Sequence, residues 1–310
     1  MGTRIESVAT ARPRHWPTAR GALRLEERAA RTCLHRVGRQ AAEVDLLVNA
    51  SIYKDGNTAE PALASLVQED IGANPGHPQP QGRHGTFSFD VSNGAAGALT
   101  AAQLVDGFVS SGTAHLGLVV TGDADPSPRT SRGFPFLPAA GAILLRHTDD
   151  DEGFERFAFR TFPRFEHLFE ADVEWAPDRR RNVVRVREEP GFADACVDCA
   201  SRTVSELLDA ARVPAVDLLV TSQVPGGIPE RIARSCGVPV DRVPAVPPEL
   251  RRAHTAGVIA SLEAAIESGA FARARTVLFV AVGAGITVGA ALYQRRITHM
   301  QNERSHKNDD

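Results

Sequence analysis

Residues able to do chemistry are sparse in this chain, and most lie outside any familiar spacing. Cys196-Val197-Asp198-Cys199 has the spacing of a redox or metal pair, but Cys33 and Cys236 stand alone and supply no second pair. On a helix the two thiols would share one face at i,i+3, so packing is their expected role. Gly283-Ala284-Gly285 follows an apolar run, yet Ile286–Leu292 continues as a strand-like run where a dinucleotide site would need a helix. The sequence has no P-loop pattern, no zinc spacing of histidines and no paired helix carboxylates typical of metal sites. His254 lies in a polar turn, Ala253-His254-Thr255-Ala256-Gly257, ahead of a helical stretch, and is a candidate acid or base. Ser222 has no base close to it in sequence and could equally serve a turn or cap. Asn93 could cap the helix that follows it or face a ligand, and capping is the expected role. Glu60, followed by Pro61, fits the first turn of a helix ending near Gly72, where a carboxylate favours the helix dipole.

The elements that must position these residues come in two matching sets. Val44-Asp45-Leu46-Leu47-Val48 recurs unchanged as Val216-Asp217-Leu218-Leu219-Val220. Helical stretches precede both copies, Leu23–Gly38 the first and Asp198–Arg212 the second. Further on, the helical Gln103–Gly112 leads to the strand Leu116–Thr121, and then to Gly141–Arg146. The helical Val258–Gly269 leads likewise to Thr276–Val282 and Ile286–Gln294. Both halves read β-α-β-α-β-β, which predicts a duplicated, layered α/β chain with largely parallel sheets. The expected division is residues 1–165 and 166–310, with the charged stretch Phe162–Asn182 as a surface excursion between them. That stretch, with Trp175 and Arg179-Arg180-Arg181, could cover a substrate tunnel, dock an acidic carrier or be a solvated loop. The polar tail Thr298–Asp310 is expected to fray.

Composition supports a large core. The 310 residues are 43% hydrophobic and 24% charged, which excludes a disordered or small disulfide-framework protein. A net charge of −3 offers no field for nucleic acid or an anionic membrane. The opening residues lack the apolar core of a signal peptide, and the apolar runs are too short for a bilayer, so a cytoplasmic location is expected.

The duplicated plan, with Phe89-Asp90-Val91-Ser92-Asn93-Gly94-Ala95-Ala96-Gly97 before a buried helix, resembles the thiolase superfamily. The nearest branch is the ketoacyl-acyl-carrier-protein synthase III-like enzymes, in which that stretch reads F-D-V-x-x-x-C-x-G. Val282–Gly289 resembles the family's F-G-G-G-F-T-W-G, and Pro138–Ala142 sits where it has D-G-A-G-A. The resemblance implies a thiolase-like α/β/α/β/α fold, with the nucleophile elbow in the first half. The Ser222 and His254 loops and the Gly-rich turn would belong to the second half.

In that family a cysteine at a helix N-terminus accepts the acyl group, because the dipole favours its thiolate. By resemblance the cysteine position is Ala95, the histidine position Ser222 and the asparagine position His254. The oxyanion hole would be the backbone N–H groups of Ala95 and Ala284, with Gly283 and Asn93 beside the substrate. None of the three catalytic side chains is kept. Glu60 stands where the family has a phenylalanine that enters the partner's acyl tunnel, and where head-to-head condensing relatives have a catalytic glutamate. Three explanations are open for Ala95: an engineered Cys→Ala change, a silent partner of a cysteine-bearing subunit, or a reaction that needs no acyl-enzyme. The implied activity is acyl transfer or thioester condensation in fatty-acid or polyketide-type metabolism. The alternative is a non-catalytic partner subunit that lends Glu60.

No permanently bound cofactor is implied. The family's Trp- and Arg-bearing segment for coenzyme A is missing or altered here. Its His-Gln-Ala-Asn-x-Arg stretch is replaced by Ser222-Gln223-Val224-Pro225-Gly226-Gly227. A phosphopantetheine thioester on an acyl carrier protein is therefore expected in preference to coenzyme A. The chain is expected to act as a homodimer, or as a heterodimer with a related ketosynthase.

Overall fold

A computed structural model describes residues 2–13, 21–74, 85–127, 134–177, 180–223 and 227–296. The first half contains β1 (Gly2–Ala11), α1 (Ala22–His35), β2 (Leu46–Asn49), α2 (Leu63–Ile71), β3 (Phe87–Asp90), α3 (Gly97–Ser110), β4 (Leu116–Asp123) and β5 (Ala139–Thr148). Then come β6 (Gly153–Thr161), β7 (Phe169–Ala176), β8 (Arg181–Glu188), α4 (Phe192–Ala211) and β9 (Leu218–Thr221). The chain closes with α5 (Ile228–Ser235), α6 (Gly257–Glu267), α7 (Ala270–Arg273), β10 (Thr276–Gly283) and β11 (Thr287–Gln294).

One sheet has the order β1-β5-β4-β2-β3 and the other β6-β11-β10-β9, so four strands of the first recur in the second in the same order. The repeated pentapeptide explains part of this symmetry. Asp45 Oδ2 accepts the N–H groups of His115 and Leu116 at 2.8 and 3.0 Å, fastening the start of β4 beside β2. Asp217 Oδ2 accepts those of Arg275 and Thr276 at 3.0 and 2.9 Å, doing the same for β10 beside β9.

Helices α3 and α6 are apolar around most of their circumference and lie between the two sheets. Leu99, Ala101, Val105, Val258, Ile259 and Leu262 share one core with residues of both sheets. The remaining helices have one apolar face each. Helices α1 and α2 cover the outer face of the first sheet, and α4 and α5 that of the second. The result is five layers, α/β/α/β/α.

Several sequence expectations need correcting. The sheets are mixed, because β4–β5, β1–β5, β10–β11 and β6–β11 pair antiparallel. Among the described residues, no α-helix lies between β10 and β11 or between β4 and β5, whereas parallel pairing needs a crossover. Strand β6, which ends before residue 165, pairs with β11 in the second sheet. The excursion Phe162–Asn182 contains β7 and the start of β8, an antiparallel hairpin with Trp175 60% exposed. Helix α4 begins at Phe192 rather than Asp198, so Cys196 and Cys199 lie inside it and both are buried. Burial pushes the Cys196 thiol up to about 12, the behaviour of a packing cysteine. Residues 178–179 of the excursion, 224–226 of the stretch Ser222–Gly227 and the tail from 297 lie outside the described residues.

Candidate active site

The carboxyl ends of β2, β4, β9 and β10 run toward one region, the usual place for a site in such sheets. There the chain leaves β3, turns through Gly94 at φ 49° and enters α3 by way of Ala95. The positive φ suits glycine, and it delivers residue 95 to the helix start. Ala95 is 4% exposed. Gly283 lies directly over it: a Cβ at 283 would fall 3.0 Å from the Ala95 Cβ and 3.3 Å from its backbone nitrogen. Gly285, at φ 110°, lets the Gly283-Ala284-Gly285 turn double back into β11. Residues from opposite halves of the sequence therefore meet at Ala95.

Asn93 does not cap the helix. Its Nδ2 donates to Thr100 Oγ1 at 2.8 Å, holding the approach to Ala95 against α3. Ser222 is buried and structural in its contacts. Its Oγ accepts the Val282 N–H at 3.1 Å, and its own N–H donates to the Val280 carbonyl at 2.9 Å. It makes no hydrogen bond to His254. The two loops still abut, since a Cβ on Gly257, at the start of α6, would fall 2.7 Å from the Gln223 nitrogen.

His254 is the best-positioned ionisable side chain of those singled out in the sequence. Its Nδ1 is 3.1 Å from Oδ2 of Asp123, the last residue of β4. Oδ2 also accepts the Thr255 N–H at 3.0 Å and the Thr255 hydroxyl at 2.5 Å. Oδ1 accepts the N–H groups of Ile52 and Tyr53 at 3.0 and 2.7 Å. Thr121 donates its hydroxyl to that of Thr255, extending the network along β4. Burial alone would push the Asp123 carboxyl up. The hydrogen bond and charge of His254, with the donors from Thr255 and Tyr53, outweigh burial and hold it below the usual carboxylate range. Around the imidazole stand Phe136 at 4.3 Å and Tyr53 at 5.3 Å between ring centroids, with Phe134 against Tyr53 at 5.0 Å.

A second buried carboxyl lies behind this network. Glu26 of α1 accepts from Asn49 Nδ2 at 2.9 Å and from Ser51 Oγ at 2.5 Å, and Ser51 Oγ accepts the Gly122 N–H. Burial, with the charges of Asp123 and Asp90 adding to it, raises Glu26 well above the usual carboxylate range.

Glu60 does not open α2. The helix starts at Leu63, and its first N–H groups are taken by Asp90 of β3, which accepts from Leu63 at 2.9 Å and Ala64 at 2.8 Å. Glu60 is exposed and makes no hydrogen bond or ion pair with Ala95, Asp123 or His254. Asp123 and Glu26 were not singled out from the sequence. For Asp123 a signal existed: an acid closing an otherwise apolar strand, Leu116–Asp123.

A duplicated five-layer α/β chain with a helix-start elbow under a Gly-rich turn defines the thiolase-like class. The model of the 3-oxoacyl-[acyl-carrier-protein] synthase III C-terminal family matches residues 210–295. A beta-ketoacyl-[acyl-carrier-protein] synthase III of Caulobacter vibrioides is 28% identical over 280 residues, covering 85% of this chain and 81% of the relative. The crystal structure of 3-oxoacyl-[acyl-carrier-protein] synthase III from Aquifex aeolicus superposes with a TM-score of 0.76 at 22% identity, covering 95% of this chain and 100% of that one. A priming beta-ketosynthase from a polyketide pathway superposes with a TM-score of 0.78 at 18% identity, covering 94% and 96%. The chain is similar to the beta-ketoacyl-[acyl-carrier-protein] synthase III enzymes over most of its length and has their thiolase-like fold.

Proposed function

We propose that this chain binds an acyl thioester at Ala95 and supports acyl transfer or condensation without forming an acyl-enzyme. The carrying observation is the Gly283-Ala284-Gly285 turn closed over a buried alanine at a helix start. An alanine side chain cannot accept an acyl group, but a backbone N–H donates whatever the side chain. The N–H groups of Ala95 and Ala284 polarise the thioester carbonyl, the work of an oxyanion hole. The acyl group arrives on the phosphopantetheine arm of an acyl carrier protein, in fatty-acid or polyketide-type metabolism in the cytoplasm, and the chain acts as a dimer. Its relatives' names support that setting: they are beta-ketoacyl-[acyl-carrier-protein] synthases.

The exposed Glu60, which has no hydrogen bond or ion pair among the described residues, favours a second reading, a non-catalytic subunit that lends this carboxylate to a cysteine-bearing partner. Titration calorimetry with acyl-pantetheine thioesters of two to twelve carbons tests the first reading. Binding should be measurable and should weaken about tenfold or more in Gly283→Ala, whose methyl would press on Ala95 and its N–H. Absence of binding across the series would favour the partner reading.

A further inference from the structure

We infer that Asp123 and His254 form a carboxylate–imidazole pair whose Nε2 deprotonates the hydroxyl of an apolar alcohol, which attacks the bound thioester directly. The inference rests on the proposed thioester site. The hydrogen bonds fix the protons. Asp123 accepts from two N–H groups on Oδ1, and from an N–H and the Thr255 hydroxyl on Oδ2; the N–H groups cannot accept in return, and the hydroxyl, which already accepts from Thr121, directs its proton at Asp123. A carboxylate so surrounded has no proton to donate, so the His254 Nδ1 must carry one. In the neutral ring the lone pair then sits on Nε2, the tautomer a general base requires.

The loop after β2 touches both centres. The Ala50 carbonyl lies 3.0 Å from a Cβ built on Gly97, two residues beyond Ala95, and Ile52 and Tyr53 hold Asp123. Tyr53 and Phe136 pack against the imidazole, and Phe134 against both of them, giving an apolar aromatic seat for an acceptor. An alcohol needs a base to become a nucleophile near neutral pH, and here no protein thiol competes for the acyl group.

The step balances without a further reactant. Nε2 takes the hydroxyl proton as the alcohol oxygen bonds to the thioester carbon. The tetrahedral oxyanion sits against the Ala95 and Ala284 N–H groups. The C–S bond then breaks, and the pantetheine thiolate leaves with the proton from the imidazolium. The products are an ester and a free thiol.

The test uses the full chain with octanoyl-pantetheine and benzyl alcohol, reading benzyl octanoate by mass spectrometry and binding by calorimetry. The wild type should form the ester. His254→Ala should lower kcat roughly 100- to 10,000-fold, leave thioester affinity within about threefold, and recover with added imidazole. Asp123 acts through His254, so its test is spectroscopic. The nitrogen NMR signals of His254 should show a protonated Nδ1 in the wild type and a protonated Nε2 in Asp123→Asn. If Asp123→Asn does not fold, the wild-type tautomer and the imidazole rescue still decide the question. Thioester binding without His254-dependent ester formation, or a wild-type ring protonated only on Nε2, overturns this inference alone. Transfer to benzylamine and not to benzyl alcohol also overturns it. Absence of any thioester binding overturns the proposed function and the inference together.

Discussion

Replacing Asp123 by asparagine changes one atom's identity and leaves the shape of the side chain intact, so its cost can be worked from the hydrogen bonds. The carboxylate accepts from five donors: the N–H groups of Ile52, Tyr53 and Thr255, the Thr255 hydroxyl and His254 Nδ1. With its oxygen toward Ile52 and Tyr53, the amide turns its NH2 toward the other three. The Thr255 hydroxyl can rotate to accept, and His254 can shift its proton to Nε2. The Thr255 backbone N–H can do neither and is left facing another donor. In the opposite orientation two backbone N–H groups are stranded instead. One stranded buried donor costs about 1–3 kcal/mol, and the remaining bonds lose a charged acceptor, so the expected loss is about 2–4 kcal/mol. A domain with 5–15 kcal/mol of stability survives this. The sign with pH follows from the depressed carboxyl. Its contribution is present above the unfolded value of about 3.9 and is lost as pH falls through the lower folded value. Asp123→Asn should lack that acid limb. Urea unfolding of the two proteins from pH 3 to pH 8 measures both effects. A loss below about 0.5 kcal/mol at pH 7 would refute the hydrogen-bond reasoning.

Two further substitutions probe the surroundings. Glu26→Gln should change how stability depends on pH. The raised Glu26 stabilises most below about pH 4.3, and that contribution is lost as pH rises toward its folded value. Glutamine does not titrate, so the variant's urea midpoints should gain on the wild type between pH 4 and pH 8; parallel curves would contradict the assignment. Gly141→Ala should destabilise, because its methyl would fall 2.8 Å from the Cβ and Cγ2 of Ile259 on α6. Gly141 sits in β5 between β1 and β4, so the strand has no room to shift. Overpacking of about 1–3 kcal/mol should outweigh the usual gain on replacing glycine, and an unchanged thermal midpoint would contradict the α6–β5 contact.

The layered fold was legible because it is written in local pattern: a repeated pentapeptide, apolar runs of strand length and helical stretches in the same order in both halves. The site was legible only in part. Ala95 and the Gly-rich turn could be located because contiguous motifs carry them. Asp123 and Glu26 could not, since their roles depend on partners far along the chain, His254 for one and Asn49 and Ser51 for the other. The same distance hid the start of α2. Its cap is Asp90 from β3, so the nearby Glu60 and Pro61 gave a misleading local signal. Strand direction was misjudged because periodicity reports burial and not the sense of pairing.

Acylation at position 95 tests the central claim most directly. The wild type and Ala95→Cys, each incubated with octanoyl-pantetheine, are weighed as intact proteins. The account predicts no covalent adduct on the wild type and one octanoyl group on the variant. The new thiol would stand at the start of α3 beneath Gly283, where the helix dipole favours thiolate. A folded Ala95→Cys protein that no acyl thioester labels would contradict the thioester site, as would an octanoyl adduct on the wild type.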